Sequence, residues 1–180
     1  GLLQEVIREA RRDPKRIVLA EGNDPRVIKA ASVLAGEGIA MPILLGLRDD
    51  IEETAKGIGV DLEGVEVIYP RQAPQFEDYV SSYLEVNQRR GVTPATARGD
   101  MARRTDFGMM MVQSGDVDGI VVGATRPYAE AIRPALRVIG SDGRACGLTT
   151  VLTREETLFF ADTTVNINPD AETLAEIAAL

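Results

Sequence analysis

The sequence predicts a three-layer α/β fold in which helices cover both faces of a mostly parallel sheet. Two observations carry that prediction. Short apolar runs that read as buried strands alternate with stretches whose apolar residues recur at the 3.6-residue helical period. Proline-led starts and glycine stops separate them, as Asp24-Pro25, Thr93-Pro94 and Gly91 illustrate.

In chain order, residues 16–20 form a buried strand, 25–36 a helix, 42–45 a strand, 50–56 a helix and 65–69 a strand. A helix over residues 76–90 stops at Gly91. Asp24-Pro25, Thr93-Pro94 and Asn168-Pro169 each set a capping side chain before a proline at the first helical position. Residues 101–114, ended by Gly115, form a largely buried helix, because the methionine run is apolar on most faces. A strand over 119–123 leads into a helix over 126–139. Its apolar stripe is Ala129, Ile132, Leu136 and Ile139. Gly140-Ser-Asp-Gly143 marks a turn or linker. Two strands follow, 148–152 and 158–161, then a helix from Pro169 whose stripe of Leu174, Ile177, Ala178 and Leu180 is still running where the sequence stops. That uncapped end suggests truncation. The expected organisation is a first α/β domain over residues 1–145 and the truncated start of a second over 146–180. A charge step agrees with it, since residues 146–180 hold one arginine against six carboxylates, a net of −5 within the chain's −8.

Composition excludes several functions. The acidic net charge of −8 argues against a nucleic-acid surface, which needs clustered positive charge. No apolar run reaches the ~20 residues of a membrane span, and residues 1–15 lack the apolar core of a secretory signal, so the expected location is cytoplasmic. With no histidine, neither a Ser-His-Asp nor a Cys-His mechanism can be assembled, and the usual zinc clusters are excluded. The single cysteine, Cys146, permits no internal disulfide and reads as a small semi-buried filler rather than an activated thiol.

Four segments are candidates for chemistry. Gly119-Ile-Val-Val-Gly-Ala-Thr-Arg-Pro-Tyr is the foremost: an apolar strand ends in a glycine turn that delivers Thr125, Arg126 and Tyr128 beside a helix start, with Arg133 two turns further on. Arginine's planar fork suits phosphate or carboxylate, and Arg126 and Arg133 can line one edge of a cleft. The competing reading is a surface salt bridge. Pro134 inside the helical pattern removes one backbone hydrogen bond and is expected to kink the helix. The second segment, Glu21-Gly-Asn-Asp-Pro25, is a strand-to-helix turn that attracts an anion through the helix start or is merely an N-capped turn. It lacks G-x-G-x-x-G spacing, and its own carboxylates repel phosphate. The third, Gly115-Asp-Val-Asp-Gly119, is a helix C-cap rather than a calcium loop, and no metal site is expected. The fourth ends strand 158–161 in Asp162-Thr-Thr-Val-Asn166, where Asp162 either lines a cleft or builds a turn.

Arg16-Ile-Val-Leu-Ala-Glu-Gly, Met41-Pro-Ile-Leu-Leu-Gly, Arg90-Gly-Val-Thr-Pro-Ala-Thr-Ala, Gly115-Asp-Val-Asp-Gly, Ile132-Arg-Pro-Ala-Leu and Phe159-Phe-Ala-Asp-Thr together resemble the phosphate acetyltransferase, or phosphotransacetylase, family along nearly the whole chain. The segment Leu158-Phe-Phe-Ala-Asp-Thr-Thr-Val-Asn-Ile-Asn-Pro looks most like the version fused to bacterial NADP-dependent malic enzymes. The resemblance implies a two-domain phosphotransacetylase-like architecture, with the second domain inserted into the first. It implies transfer of an acetyl group between coenzyme A and phosphate, without a cofactor of this domain's own. In that scheme a base forms the thiolate of coenzyme A, and arginines, among them the one matched by Arg133, hold phosphate. NADP and a divalent metal would belong only to an upstream malic-enzyme domain.

Two departures qualify the implication. A second phosphate-contacting arginine of the family aligns with Asn87, and its late serine–arginine and aspartate motifs fall beyond residue 180. The expectation is therefore a regulatory, oligomerising module, a homo-oligomer, that binds acetyl-CoA, phosphate or acetyl phosphate. The alternatives are an active phosphate acetyltransferase and a purely structural assembly module.

Overall fold

Adjacent residues Val18 and Leu19 are both buried, at 0% and 5% exposure. Consecutive side chains of a strand point to opposite faces, so the sheet that holds them has to be covered on both. The computed structural model describes residues 2–140, 145–153 and 156–179. The turn expected over residues 141–143 and the terminal Leu180 lie outside the described residues. The chain divides into two compact units, Leu3–Ile139 and Gly140–Leu180.

In the larger unit, β1 (Lys15–Leu19), β2 (Ala40–Leu45), β3 (Glu66–Ile68) and β4 (Gly119–Val121) form a parallel sheet in the order β3-β2-β1-β4. Register pairs Val18 with Ile43 and Ile120, and Leu19 with Leu44 and Val121. One face, through Leu19 and Leu44, packs on Ile28 and Ala31 of α2 (Pro25–Gly36) and on Ile51 and Ala55 of α3 (Arg48–Gly57). The other, through Val18, Ile43 and Leu45, packs on α4 (Phe76–Asn87), α5 (Pro94–Met101), α6 (Arg104–Gln113) and α7 (Tyr128–Val138). The mostly parallel, three-layer α/β arrangement expected from the sequence is the one observed.

Two glycines set how closely the layers approach. A Cβ at Gly108 would stand 2.6 Å from Ile120 Cδ1 and 3.1 Å from Val18 Cγ1, so α6 lies flat on the sheet only because that position is bare. A Cβ at Gly22 would stand 2.6 Å from the Leu45 carbonyl oxygen, which fixes the turn after β1 against the end of β2.

Some expected boundaries differ. The predicted helix over 101–114 is two elements, because Arg103 adopts an extended backbone (φ −80°, ψ 129°) and its N–H closes a turn on the Asp100 carbonyl. Thr93 does cap α5, and Thr105–Met111 are all buried, so the apolar reading of the methionine run holds. The helix ahead of Gly91 relaxes into a 3-10 turn over Gln88–Arg90, and Gly91 takes φ +86°. Helix α1 (Leu2–Ala10), where the sequence reading proposed no element, precedes β1. Helix α7 runs continuously from Tyr128 to Val138 with Pro134 inside it.

In the smaller unit, β5 (Leu148–Leu152) and β6 (Thr157–Ala161) pair antiparallel, and their apolar side chains, including Phe159 and Phe160, stay largely exposed. The following helix, α8, spans Ala171–Ala179 and is capped by Asp170, whose carboxylate accepts from Thr173 N–H at 2.8 Å. Asn168, expected as the cap, instead sits at φ +51°, a region open to asparagine and closed to a helix start.

Candidate functional site

The chain runs outward from β1 to β2 and β3, then returns to place β4 on the other side of β1. At that reversal the loops leaving β1 and β4 part, and the carboxyl ends of the two strands open a crevice.

The loop after β4 was expected to hold an external anion, and it already holds an internal one. Glu21, only 8% exposed, accepts from the N–H groups of Gly123 (2.9 Å) and Ala124 (2.8 Å) through one oxygen, and from Thr125 N–H (2.8 Å) and Thr125 Oγ1 (2.7 Å) through the other. Burial pushes the Glu21 carboxyl up, but these four bonds outweigh it and hold the group below the usual carboxylate range. The start of α2 is likewise occupied. Asp24 accepts from Arg26 N–H at 2.9 Å and pairs with the Arg26 guanidinium, which holds its carboxyl at about 2. The second candidate segment is thus a capped turn plus a carboxylate latch.

Asp24 carries a pH signature. Its folded pKa lies below the ordinary ~3.9, so its contribution is present above about pH 4 and is lost as pH falls towards 2. Melting curves of Asp24→Ala and the unaltered chain should therefore be furthest apart near neutrality and converge between pH 4 and pH 2. A gap that stays constant across that range would show that the ionised pair contributes nothing.

The positive lining comes from two elements. Helix α6 starts without a side-chain cap, and its first residues are Arg103 at the cap position, Arg104 and the buried Thr105. Arg104 reaches Asn23 Oδ1 at 2.9 Å, and Arg103 pairs with Asp100 at 2.9 Å. Two arginines at the positive end of a helix dipole are unfavourable by themselves, and an anion placed there relieves both. From the other side come Arg126 on the loop and Arg133 on α7. A cleft of about 290 Å³ is lined by Glu21, Arg104, Thr125 and Arg126 among others. A second, of about 330 Å³, is lined by Arg103, Thr105, Arg126, Glu130, Arg133 and Arg137. A third hollow, also about 290 Å³, brings Arg103, Arg104 and Arg126 together with Asn23 and Tyr69. Arg126 is common to all three. Among the described residues, neither Arg126 nor Arg133 is ion-paired or hydrogen-bonded, and both line the second cleft. Arg137, by contrast, is committed to the buried Asp106.

The other sequence candidates fall as follows. Thr125 is bound to Glu21 and lines the first cleft. Tyr128 is 49% exposed and lines none of the clefts described above. Asp162, in the smaller unit at φ +50°, accepts from Val165 N–H (3.0 Å), Asn166 N–H (2.9 Å) and Asn166 Nδ2 (2.6 Å), so its carboxylate organises a turn. Burial raises that carboxyl, and the bonds from Asn166 and its neighbours bring it below the usual range. In the Gly115–Gly119 turn, Asp116 accepts from Tyr79 Oη and Asp118 from Arg16 N–H at 2.8 Å, and the N–H of Asp116 closes on Met111 O behind Gly115 at φ +75°. That is a helix C-cap, as expected. Asn87 is 1% exposed and donates its Nδ2 to the Tyr83 carbonyl, so nothing from that position reaches the cleft. The residues sequence reasoning missed are Glu21 as a latch and the Arg103-Arg104 pair, whose placement at a helix start was the available signal.

A family model described as phosphate acetyl/butaryl transferase matches residues 1–180. The chain is 38% identical over 176 residues to the phosphate acetyltransferase of Nitratidesulfovibrio vulgaris, covering 96% of this chain and 25% of that protein. It is 34% identical over 187 residues to that of Thermoanaerobacterium thermosaccharolyticum, covering 99% of this chain and 56% of that one. Among solved structures, a phosphotransacetylase from Streptococcus pyogenes superposes with a TM-score of 0.90 at 31% identity, covering 98% of this chain and 55% of that chain. The chain therefore spans about a quarter to just over half the length of these relatives.

Proposed function

The chain belongs to the phosphate acetyl/butaryl transferase family, and from that premise we propose that its cleft is the phosphate-holding part of an acetyltransferase that interconverts acetyl-CoA plus phosphate with acetyl phosphate plus coenzyme A. One observation carries the proposal: arginines from two elements converge on an uncapped helix start at the switch point of the sheet, and two of them, Arg126 and Arg133, have no ion-pair or hydrogen-bond partner among the described residues. Such a cluster binds the phosphate oxygens by charge-assisted, bidentate hydrogen bonds. In the direction of acetyl-CoA formation, the thiolate sulfur of coenzyme A bonds to the acetyl carbonyl carbon and the bond from that carbon to the phosphate oxygen breaks. The arginines hold the substrate in line and stabilise the charge that grows on the departing phosphate. The base for the thiol and the coenzyme A contacts belong to residues outside this chain's cleft. The smaller unit is the start of the second, inserted domain.

The regulatory reading, a domain fused to an NADP-dependent malic enzyme that senses acetyl-CoA and assembles the oligomer, draws on Asn87, where a guanidinium is replaced by a buried amide. Arg103 and Arg104 offset it by supplying cleft charge that Asn87 does not. Coenzyme-A-dependent consumption of acetyl phosphate by the full-length protein separates the readings. Sustained turnover is expected. Acetyl-CoA binding without turnover would favour the regulatory module, and neither binding nor turnover would leave a structural assembly role.

A further inference from the structure

The loop residues Gly123 to Arg126 are exposed and Gly123 takes φ +117°, so nothing in the loop's own conformation fixes where Arg126 stands. What fixes it comes from the turn after β1 and the start of α2. The four bonds to Glu21 cross more than a hundred residues of sequence, and a fifth runs the same way, from the Arg26 guanidinium to the Ala124 carbonyl at 3.0 Å. Three consecutive N–H groups facing one carboxylate form the kind of concavity that elsewhere receives a phosphate. Here the protein's own anion fills it, which leaves an incoming phosphate to be met by side chains.

We propose that Glu21 is a positioning residue for the phosphate site: by occupying the N–H groups of Gly123, Ala124 and Thr125 it orders the β4–α7 loop and sets Arg126 at the junction of the three hollows. The inference rests on the reading of Arg126 and Arg133 as phosphate ligands. In Glu21→Gln the amide presents an N–H₂ where an acceptor is needed, so at least one loop N–H loses its partner, while the side-chain volume is kept. The loop then samples positions in which Arg126 is off the cleft.

The test is a double-mutant cycle read by phosphorus NMR titration of inorganic phosphate on the full-length protein. Glu21→Gln should raise the dissociation constant about fivefold to tenfold. In an Arg126→Ala background the same change should cost less than about twofold, because the residue it positions is gone. A purely structural role would not produce that coupling: an equal weakening in both backgrounds, or no weakening in either, overturns the proposal. Should Glu21→Gln not fold, as judged by circular dichroism, Thr125→Val carries the same cycle and is decided by the same two results. Arg133→Ala separates the two levels of inference. Unchanged phosphate affinity in Arg133→Ala overturns the phosphate-site reading itself, whereas weakened affinity there with no Glu21–Arg126 coupling overturns only the role of Glu21.

Discussion

Arg133→Ala is expected to weaken inorganic phosphate binding roughly thirtyfold, about 2 kcal/mol for the loss of a hydrogen-bonded charge, and to leave the melting temperature within about 2 °C of the unaltered chain. The two halves of that expectation come from the same fact. Arg133 is exposed, has no ion pair or hydrogen bond among the described residues, and faces a cleft that also holds Arg103 and Arg126. A side chain with no internal partner contributes little to folding, so its removal is felt by the ligand alone. Arg133→Lys should recover only part of the loss, since an ammonium keeps the charge but not the bidentate fork. Phosphate titration alongside thermal melts checks both halves. A large drop in melting temperature would mean that Arg133 is a structural residue, and unchanged affinity would remove it from the site.

How much of this was legible in the sequence depends on the range of the interactions involved. Strand and helix identities follow from local patterning, and the three-layer sheet follows from them, because Val18 and Leu19 cannot both be buried otherwise. The caps at Asp24 and Thr93 are equally local and were readable. At Asn168-Pro169 the same signal misled: Asn168 sits at positive φ, and Asp170, two residues on, makes the capping bond. The break at Arg103 was hidden because apolar period alone cannot distinguish one buried helix from two joined by a single extended residue. Glu21 was illegible for a different reason. Its partners lie more than a hundred residues away, and in sequence a buried carboxylate near an anion site looks like an objection to the site. In three dimensions its charge is taken up by four donors, so the objection disappears. Arg126 and Arg133 could be proposed early because strand, glycine turn and helix place them within one short segment.

Arg137→Met is expected to destabilise the chain by about 2 kcal/mol at neutral pH, less than for a fully buried ion pair because the Arg137 side chain is 37% exposed while its carboxylate partners are buried. Arg137 on α7 pairs with Asp106, lies 3.8 Å from Asp100 and stands 6.0 Å over the Tyr83 ring, while the two carboxylates are only 2% and 4% exposed. Tyr83 also donates to Asp100 at 3.0 Å, and burial followed by that bond pushes the phenol up to about 12. Removing the guanidinium leaves two buried carboxylates with Arg103 as their remaining cation. Burial already raises the Asp106 carboxyl above its usual range against the pull of Arg137. Without that pull it rises further. A carboxyl whose folded pKa exceeds the unfolded ~3.9 costs stability above both values, and the cost shrinks as pH falls through the folded value. The deficit of Arg137→Met should therefore narrow on mild acidification, and adding Asp106→Asn should restore part of it at pH 7 by discharging the uncompensated group. Urea unfolding of the single and double variants at two pH values reads all of this. A loss below about 1 kcal/mol, or a deficit that widens in acid, would show that the cluster is not what holds α7 to α6. If the cluster does hold it, phosphate affinity should fall in Arg137→Met as well, because the helix released by that change is the one that carries Arg133.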